Sequence, residues 1–233
     1  MVLMRLSSRA EFPADPAAAI ALQNRLRVQV DPTDPAPPDF RTVAGLDSAY
    51  DGEGNVVAAV VILDKETLEP IESATASGKV TFPYVPGLLA FRELPTTLAA
   101  LEKLGSTPDL LVCDGQGMAH PRRCGLACQV GLITGLPTLG VAKNLWGTCE
   151  EPGVERGSTS DITLDGEVVG RAVRTRSGTK PVYVSVGHRI GLDTACAQVL
   201  ALTRAYRQPE TTRRADHLCR TVLRDIISRE NLG

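Results

Sequence analysis

Aromatic side chains are scarce in this chain of 233 residues, which holds 4 Tyr, 4 Phe and 1 Trp. An aromatic presented on a loop therefore stands out. Long apolar runs are missing as well, and none reaches the length needed to span a membrane. The N-terminal stretch MVLMRLSSRAEFP has no apolar core before its small residues, so no secretory signal and no membrane partner are expected. Cysteine is present six times, at 113, 124, 128, 149, 196 and 219, but without a CxxC pair or a zinc-type spacing. That usage fits reduced thiols and a cytoplasmic location. Cys124 and Cys128 would share one helix face as packing residues. Excess charge of one sign is lacking too: the net charge of −2 excludes a bulk polycation.

What is present fits one large domain over residues 1–233, with 43% hydrophobic and 22% charged residues. Charge is unevenly divided along it. Residues 1–114 carry 9 Lys+Arg against 16 Asp+Glu, and residues 115–233 carry 16 against 11. This asymmetry allows a basic face for a polyanion despite an acidic isoelectric point.

Within residues 1–40 the pattern predicts a helix over 13–29, with Ile20, Leu22, Leu26 and Val28 as its apolar residues, then an extended, exposed connector, DPTDPAPPDF (31–40). A core over 41–229 follows. Three strand-like runs, Arg41 to Tyr50, Val56 to Leu63 and a third within Ile71 to Val80, read as an antiparallel meander. GLLAFRELPTTLAALEKLG reads as a helix that Pro95 should kink or split at Glu93. Next come a buried strand ending at Asp114, an apolar helix over 124–135, a strand over 137–143 and a hairpin from GEVVGRAVRTR and PVYVSVGH. Helices near 192–206 and 211–229 close the chain. The order βββαβαβ points to a single α/β domain around a mixed sheet with flanking helices.

TFPYVPG (81–87) holds Tyr84 between Pro83 and Pro86. Each proline fixes its own φ and biases the residue before it toward extended geometry, so the tyrosine is stiffly presented. It is either an aromatic plug on a strand-to-helix turn or a rigid probe aimed at a partner. Asp47 sits inside the strand VAGLDSAY, where alternation sets Val43, Gly45 and Asp47 on one face and Ala44, Leu46 and Ser48 on the other. Asp114 ends LLVCD, at the place where α/β sheets commonly build sites. With Glu93 from the intervening helix, the two aspartates would form a carboxylate cluster. Such a cluster stays ionised only around cations, and an all-oxygen set favours Mg²⁺ or Mn²⁺. The competing readings are a strand-end cap for Asp47 and a turn-forming Asp-Gly pair for Asp114. In DGQGMAHPRRCG (114–125), Gly115 and Gly117 allow close backbone approach. Arg122 and Arg123 offer charge near a helix start, and His120 either touches a phosphate or bonds locally. Lys143 follows a strand and is placed to meet a phosphate or the carboxylates. Asp216 and His217 lie beside two arginines.

Taken together and in order, VAGLDSAY, PYVPGLLAFRELP, PDLLVCDGQGMAHPRRCGLA, PTLGVAKNL, VGHRIGLDTA and YRQPETTRRAD resemble the endonuclease V family. The resemblance runs from about residue 41 to 216. It implies a ribonuclease H-like fold, an Mg²⁺-dependent DNA repair endonuclease directed at deoxyinosine, and a cut at the second phosphodiester bond 3′ to the lesion. Residue by residue, Asp47 and Asp114 match its metal-binding aspartates and Glu93 its third acid. Tyr84 matches the aromatic of its wedge motif, formed here by Pro83, Tyr84, Val85, Pro86 and Gly87, with Val85 where Ile is usual. Lys143 matches the lysine after the central strand. Gln116 and Asn144 depart from the family pattern, and whether Asp216 or His217 faces the metal is open. A monomer acting on inosine-containing DNA is expected. The alternatives are a nuclease of the same fold acting on inosine-containing RNA or structured DNA, and a non-catalytic nucleic-acid-binding module.

Overall fold

The computed structural model describes residues 6–34 and 39–230. The first helix, α1 (Pro16–Leu26), starts where Asp15 accepts a hydrogen bond from the Ala18 N–H and Pro16 takes the first helical position. Its buried residues are Ala19, Leu22 and Gln23, whereas Ile20 and Val28 face solvent, so the apolar stripe is rotated from the predicted one. The connector predicted over 31–40 lies partly outside the described residues. Its described part is pinned. The Asp34 carboxylate accepts from the Gly191 N–H and the Thr194 hydroxyl.

β1 (Thr42–Tyr50), β2 (Asn55–Asp64) and β3 (Pro70–Lys79) form the predicted antiparallel meander. β2 reads NVVAAVVILD and is buried at every position but its last, so it is covered on both faces. α2 (Ala90–Leu101) runs unbroken through Pro95, so the proline does not split the helix. The proline stands in the sixth position, where it removes only one intrahelical bond. Leu94, Leu98 and Leu101, packed with Ala44 and Leu46, offset that loss.

β4 (Leu110–Asp114), α3 (Leu126–Thr134) and β5 (Thr138–Ala142) continue the chain, and β4 pairs in parallel with both β1 and β5. β6 (Thr159–Leu164), which sequence reading did not find, pairs with β7 (Glu167–Val173), and β7 with β8 (Val182–His188). α4 (Leu192–Ala201) and α5 (Glu210–Glu230) finish the fold. The eight strands lie in the order β3-β2-β1-β4-β5-β8-β7-β6, with β1, β4 and β5 parallel at the centre.

Two apolar layers sandwich the sheet. Val43, Val112 and Leu139 pack with Val199 of α4 and with Ala215, Cys219 and Leu223 of α5. Ala44, Leu46 and Leu111 pack on the opposite face, with residues of α2 and α3. The alternation predicted along β1 is therefore observed. Cys124 and Cys128 are buried, free thiols, as are all the cysteines except the half-exposed, free Cys149. Among the described residues no helix is long and apolar enough to cross a membrane.

Candidate active site

The site is built where β1 runs beyond the end of β4. Leu46 pairs with Cys113, which sets Asp47 and Asp114 one step further along, on neighbouring parallel strands. Burial and the adjacent Asp114 charge push the Asp47 carboxyl up to about 9. Its Oδ1 accepts from the Ser48 N–H at 2.8 Å, while its Oδ2 is buried without a hydrogen-bond partner. The Lys143 ammonium, at the end of β5, bonds to Asp114 Oδ2. Burial alone would lower the Lys143 ammonium; the Asp114 charge and hydrogen bond, with Asp47 and Asp216, outweigh it and raise it.

Glu93 is brought to the same cavity but not into the aspartate pair. It stands in the first turn of α2, 7% exposed, with the ring of Tyr50 close by. Burial pushes its carboxyl up to about 7, with the Asp114 charge adding to the rise. The predicted cluster of three is thus a pair with a third acid set apart. Among the described residues no three His, Cys, Asp or Glu side chains stand together closely enough to hold a metal ion. The aspartate pair nevertheless suits a hard cation. Its donors are oxygens, and one of them is buried and unbonded.

A cavity of about 480 Å³ opens beside Asp114, between the Tyr84 loop and the loop that follows β4. Tyr84 is 72% exposed at its rim and is not the plug; that place is taken by Phe82, 6% exposed, its ring 5.6 Å from that of Phe91 and tilted to it by 41°. The Tyr84 loop is clamped at both ends. At its start, Arg92 donates to the Phe82 carbonyl at 2.8 Å and lies over the rings of both Tyr50 and Tyr84. At its end, the carbonyl of Gly87 accepts from Gln23 Nε2 (3.1 Å), Arg122 Nη2 (2.8 Å) and His120 Nε2 (2.8 Å). Gly87 has φ +78°, a conformation that favours glycine. Leaving one of these buried groups unpaired costs about 1–3 kcal/mol.

His120, in the cavity lining, and Arg122 are thus both hydrogen-bonded within the protein. His120 Nδ1 accepts from the Arg122 N–H at 3.1 Å, so both ring nitrogens are engaged, with the proton on Nε2. Burial pushes its imidazole down to about 4, which keeps it neutral. Gly115 lines the cavity, but Gly117 serves packing. A Cβ there would lie 2.0 Å from the Val186 carbonyl oxygen of β8, and its N–H donates to Ser185 Oγ. Gln116 Nε2 donates to the Asn144 carbonyl, tying the loops after β4 and β5 together at 2.8 Å.

At the start of α5 the two neighbouring candidates separate. The charge of Asp216 reaches Lys143, and its Oδ1 accepts from Arg220 at 2.7 Å. His217 is exposed on another side of the helix, in a shallow groove with Pro70 and Ser73 of β3. Sequence reading missed Gln23, Tyr50 and Trp146. Gln23 carried one signal, since it stands four residues after Ala19, on the stripe that α1 buries. Trp146 lines the cavity, its ring 6.5 Å from that of His120, and is 38% exposed. As the one tryptophan of the chain it was visible, but its loop had no predicted element to place it.

A mixed sheet with this strand order, helices on both faces and carboxylates on adjoining central strands define an α/β protein of ribonuclease H-like fold. The family model for endonuclease V matches residues 24–217. Endonuclease V of Nocardia farcinica is 66% identical over 214 residues, covering 91% of this chain and 95% of that one. The crystal structure of endonuclease V from Streptomyces avermitilis superposes with a TM-score of 0.88 at 56% identity, covering 93% of this chain and 96% of the other. That of Ciona intestinalis endonuclease V, in complex with a 24mer DNA containing an inosine followed by a ribo-adenosine, superposes with a TM-score of 0.81 at 30% identity. It covers 90% of this chain and 98% of the other. The chain belongs to the endonuclease V family.

Proposed function

We propose that the protein is a nuclease that cuts inosine-containing DNA, at the second phosphodiester bond 3′ to the inosine, in a reaction that needs Mg²⁺ or Mn²⁺. The observation that carries this reading is the half-buried aspartate pair, Asp47 and Asp114, beside a cavity with Tyr84 at its rim. Membership of the family supports it, as does the inosine-containing DNA bound by the Ciona relative.

Asp47 and Asp114 would hold the cation. When bound, a divalent ion there neutralises charge on the scissile phosphate and acidifies a water. Lys143, beside Asp114, is placed to stabilise charge that develops on the phosphate oxygens. Glu93, held near neutrality by burial, can orient a water or hold a proton at its carboxylate. Asp216 adds negative charge on the α5 side.

Inosine cannot be read at its edge while stacked, so the base has to leave the duplex. Extrusion costs a few kcal/mol, least for a mispaired base. The cavity of about 480 Å³ is roomy enough for a purine, and the exposed ring of Tyr84 at its rim is free to fill the vacated stack. A duplex-opening ring is what distinguishes this reading from a plain phosphodiesterase.

The test uses matched DNA and RNA oligonucleotides, with and without inosine, incubated with the purified protein in Mg²⁺, Mn²⁺ or EDTA. Cutting restricted to inosine strands, 3′ to the lesion and abolished by EDTA, is the expected result. Cutting that ignores inosine would support a nuclease of other specificity. Binding without cutting in any cation would support a non-catalytic module.

A further inference from the structure

We propose that Gln23, on α1, is a positioning residue for recognition of the inosine strand. It sets the separation between the Tyr84 loop and the loop after β4, and so the width of the cavity between them. The inference rests on the functional reading above.

Two independent observations carry it. The first is the hydrogen bonding of a side chain that is 0% exposed. Gln23 Nε2 donates to the carbonyl of Gly87, at the end of the Tyr84 loop, and to that of Cys124, just before α3, at 3.1 and 3.0 Å. Its Oε1 accepts from Arg122 Nε at 2.6 Å. One amide thus joins segments 64 and about 100 residues away in the chain and lies in the cavity wall. Only a glutamine meets the demand at this reach. Glutamate lacks the two donors, asparagine is one methylene short, and lysine or arginine lacks the acceptor.

The second observation concerns where α1 packs. Ala19 and Leu22 bury themselves against Phe82, Leu88 and Phe91, with Leu26 and Val85 alongside, in a cluster separate from both layers of the sheet. The helix is therefore dedicated to the segment that frames Tyr84. Its apolar residues grip the loop from below, and its one buried amide fixes the loop's far end to the opposite wall. A fully satisfied buried network of this kind specifies one geometry, and a broken one leaves several.

If the amide is lost, Tyr84 keeps its ring but not its station relative to the cavity. Duplex binding, which needs the ring in the stack, should suffer, whereas single strands, which need no opening, should not. The test measures affinity by fluorescence anisotropy for inosine duplex and inosine single strand, with Ca²⁺ in place of Mg²⁺. The proteins are wild type, Gln23→Leu, Gln23→Glu and Gln23→Met, each also in a Tyr84→Ala background. The expected result is about ten-fold weaker duplex binding for the Gln23 variants, with single-strand binding changed by less than about three-fold. In the Tyr84→Ala background the additional loss should vanish, because both changes act through one ring.

Equal losses on duplex and single strand would overturn the proposal, and so would the same loss with and without Tyr84. Circular dichroism identifies any variant that does not fold; should all three fail, Gln23 is scaffold and the proposal falls. A wild type with no preference for inosine strands would overturn the functional reading itself. A wild type that prefers them, beside unchanged Gln23 variants, would overturn this inference alone.

Discussion

Asp47 and Asp114 stand side by side on parallel strands, where their like charges repel, and the Lys143 ammonium bonds to the second of them. Two carboxylates this close and half-buried cannot both ionise cheaply without a cation. Asp47 therefore holds its proton more tightly than an ordinary carboxylate does.

That shift has a sign that can be measured. The Asp47 carboxyl rises from an ordinary 3.8 to about 9 on folding, through burial first and the Asp114 charge second, and Glu93 rises from 4.5 to about 7. Both hold protons more tightly when folded. Their contribution to stability is complete at pH below about 4 and is lost as pH climbs through about 7 and then about 9. Without divalent ions, Asp47→Asn should melt higher than wild type at pH 8. A gain of about 1 kcal/mol corresponds to about 2–4 °C in a chain of this size. The gap should close toward pH 4. Thermal melts across pH in EDTA check this, and a gap that widens toward acid would contradict it.

Tyr84 gives a different forecast because its ring is 72% exposed while its loop is clamped by Arg92 and at Gly87. Tyr84→Ala should leave the melting temperature almost unchanged. It should weaken binding to inosine duplex, or selectivity over undamaged duplex, by about ten- to a hundred-fold, from a stacking contribution of roughly 1–3 kcal/mol. Tyr84→Phe should be milder, since the ring and not the hydroxyl fills the gap. Single-strand binding should hardly change. A clear drop in melting temperature with equal losses on both substrates would show a structural role instead.

Much of this was legible in the chain. The meander, the aspartate at the end of LLVCD and the stiff tyrosine follow from strand alternation, strand-end placement and proline stereochemistry, all local properties. What was not legible depends on tertiary packing. Pro95 fails to break α2 because Leu94 and Leu98 are buried on the sheet. β6, TSDITL, was missed because an edge strand buries only Ile162 and shows no apolar run. The bonds of the loop histidine and arginine to Gly87 and Gln23 were not legible, because nothing in DGQGMAHPRRCG reveals those partners across the fold.

Position on α5 separates Asp216 from His217. Asp216 acts electrostatically on Lys143, whereas His217 lies in a groove with Pro70. Asp216→Asn should slow cutting of inosine DNA by at least about ten-fold, as expected for a charge aimed at the reacting group. His217→Ala should stay within about two-fold of wild type, since surface substitutions away from a site change little. Single-turnover rates for the two variants check the assignment, and the reverse order would hand the role to His217.

The most direct measurement of the central claim is the single-turnover rate on an inosine duplex in Mg²⁺ for wild type, Asp47→Ala and Asp114→Ala, with circular dichroism confirming that each is folded. Each substitution removes an oxygen donor from the pair that would hold the cation, so both rates should fall by at least about 10³-fold. A folded Asp47→Ala or Asp114→Ala protein that cuts at the wild-type rate would contradict the account.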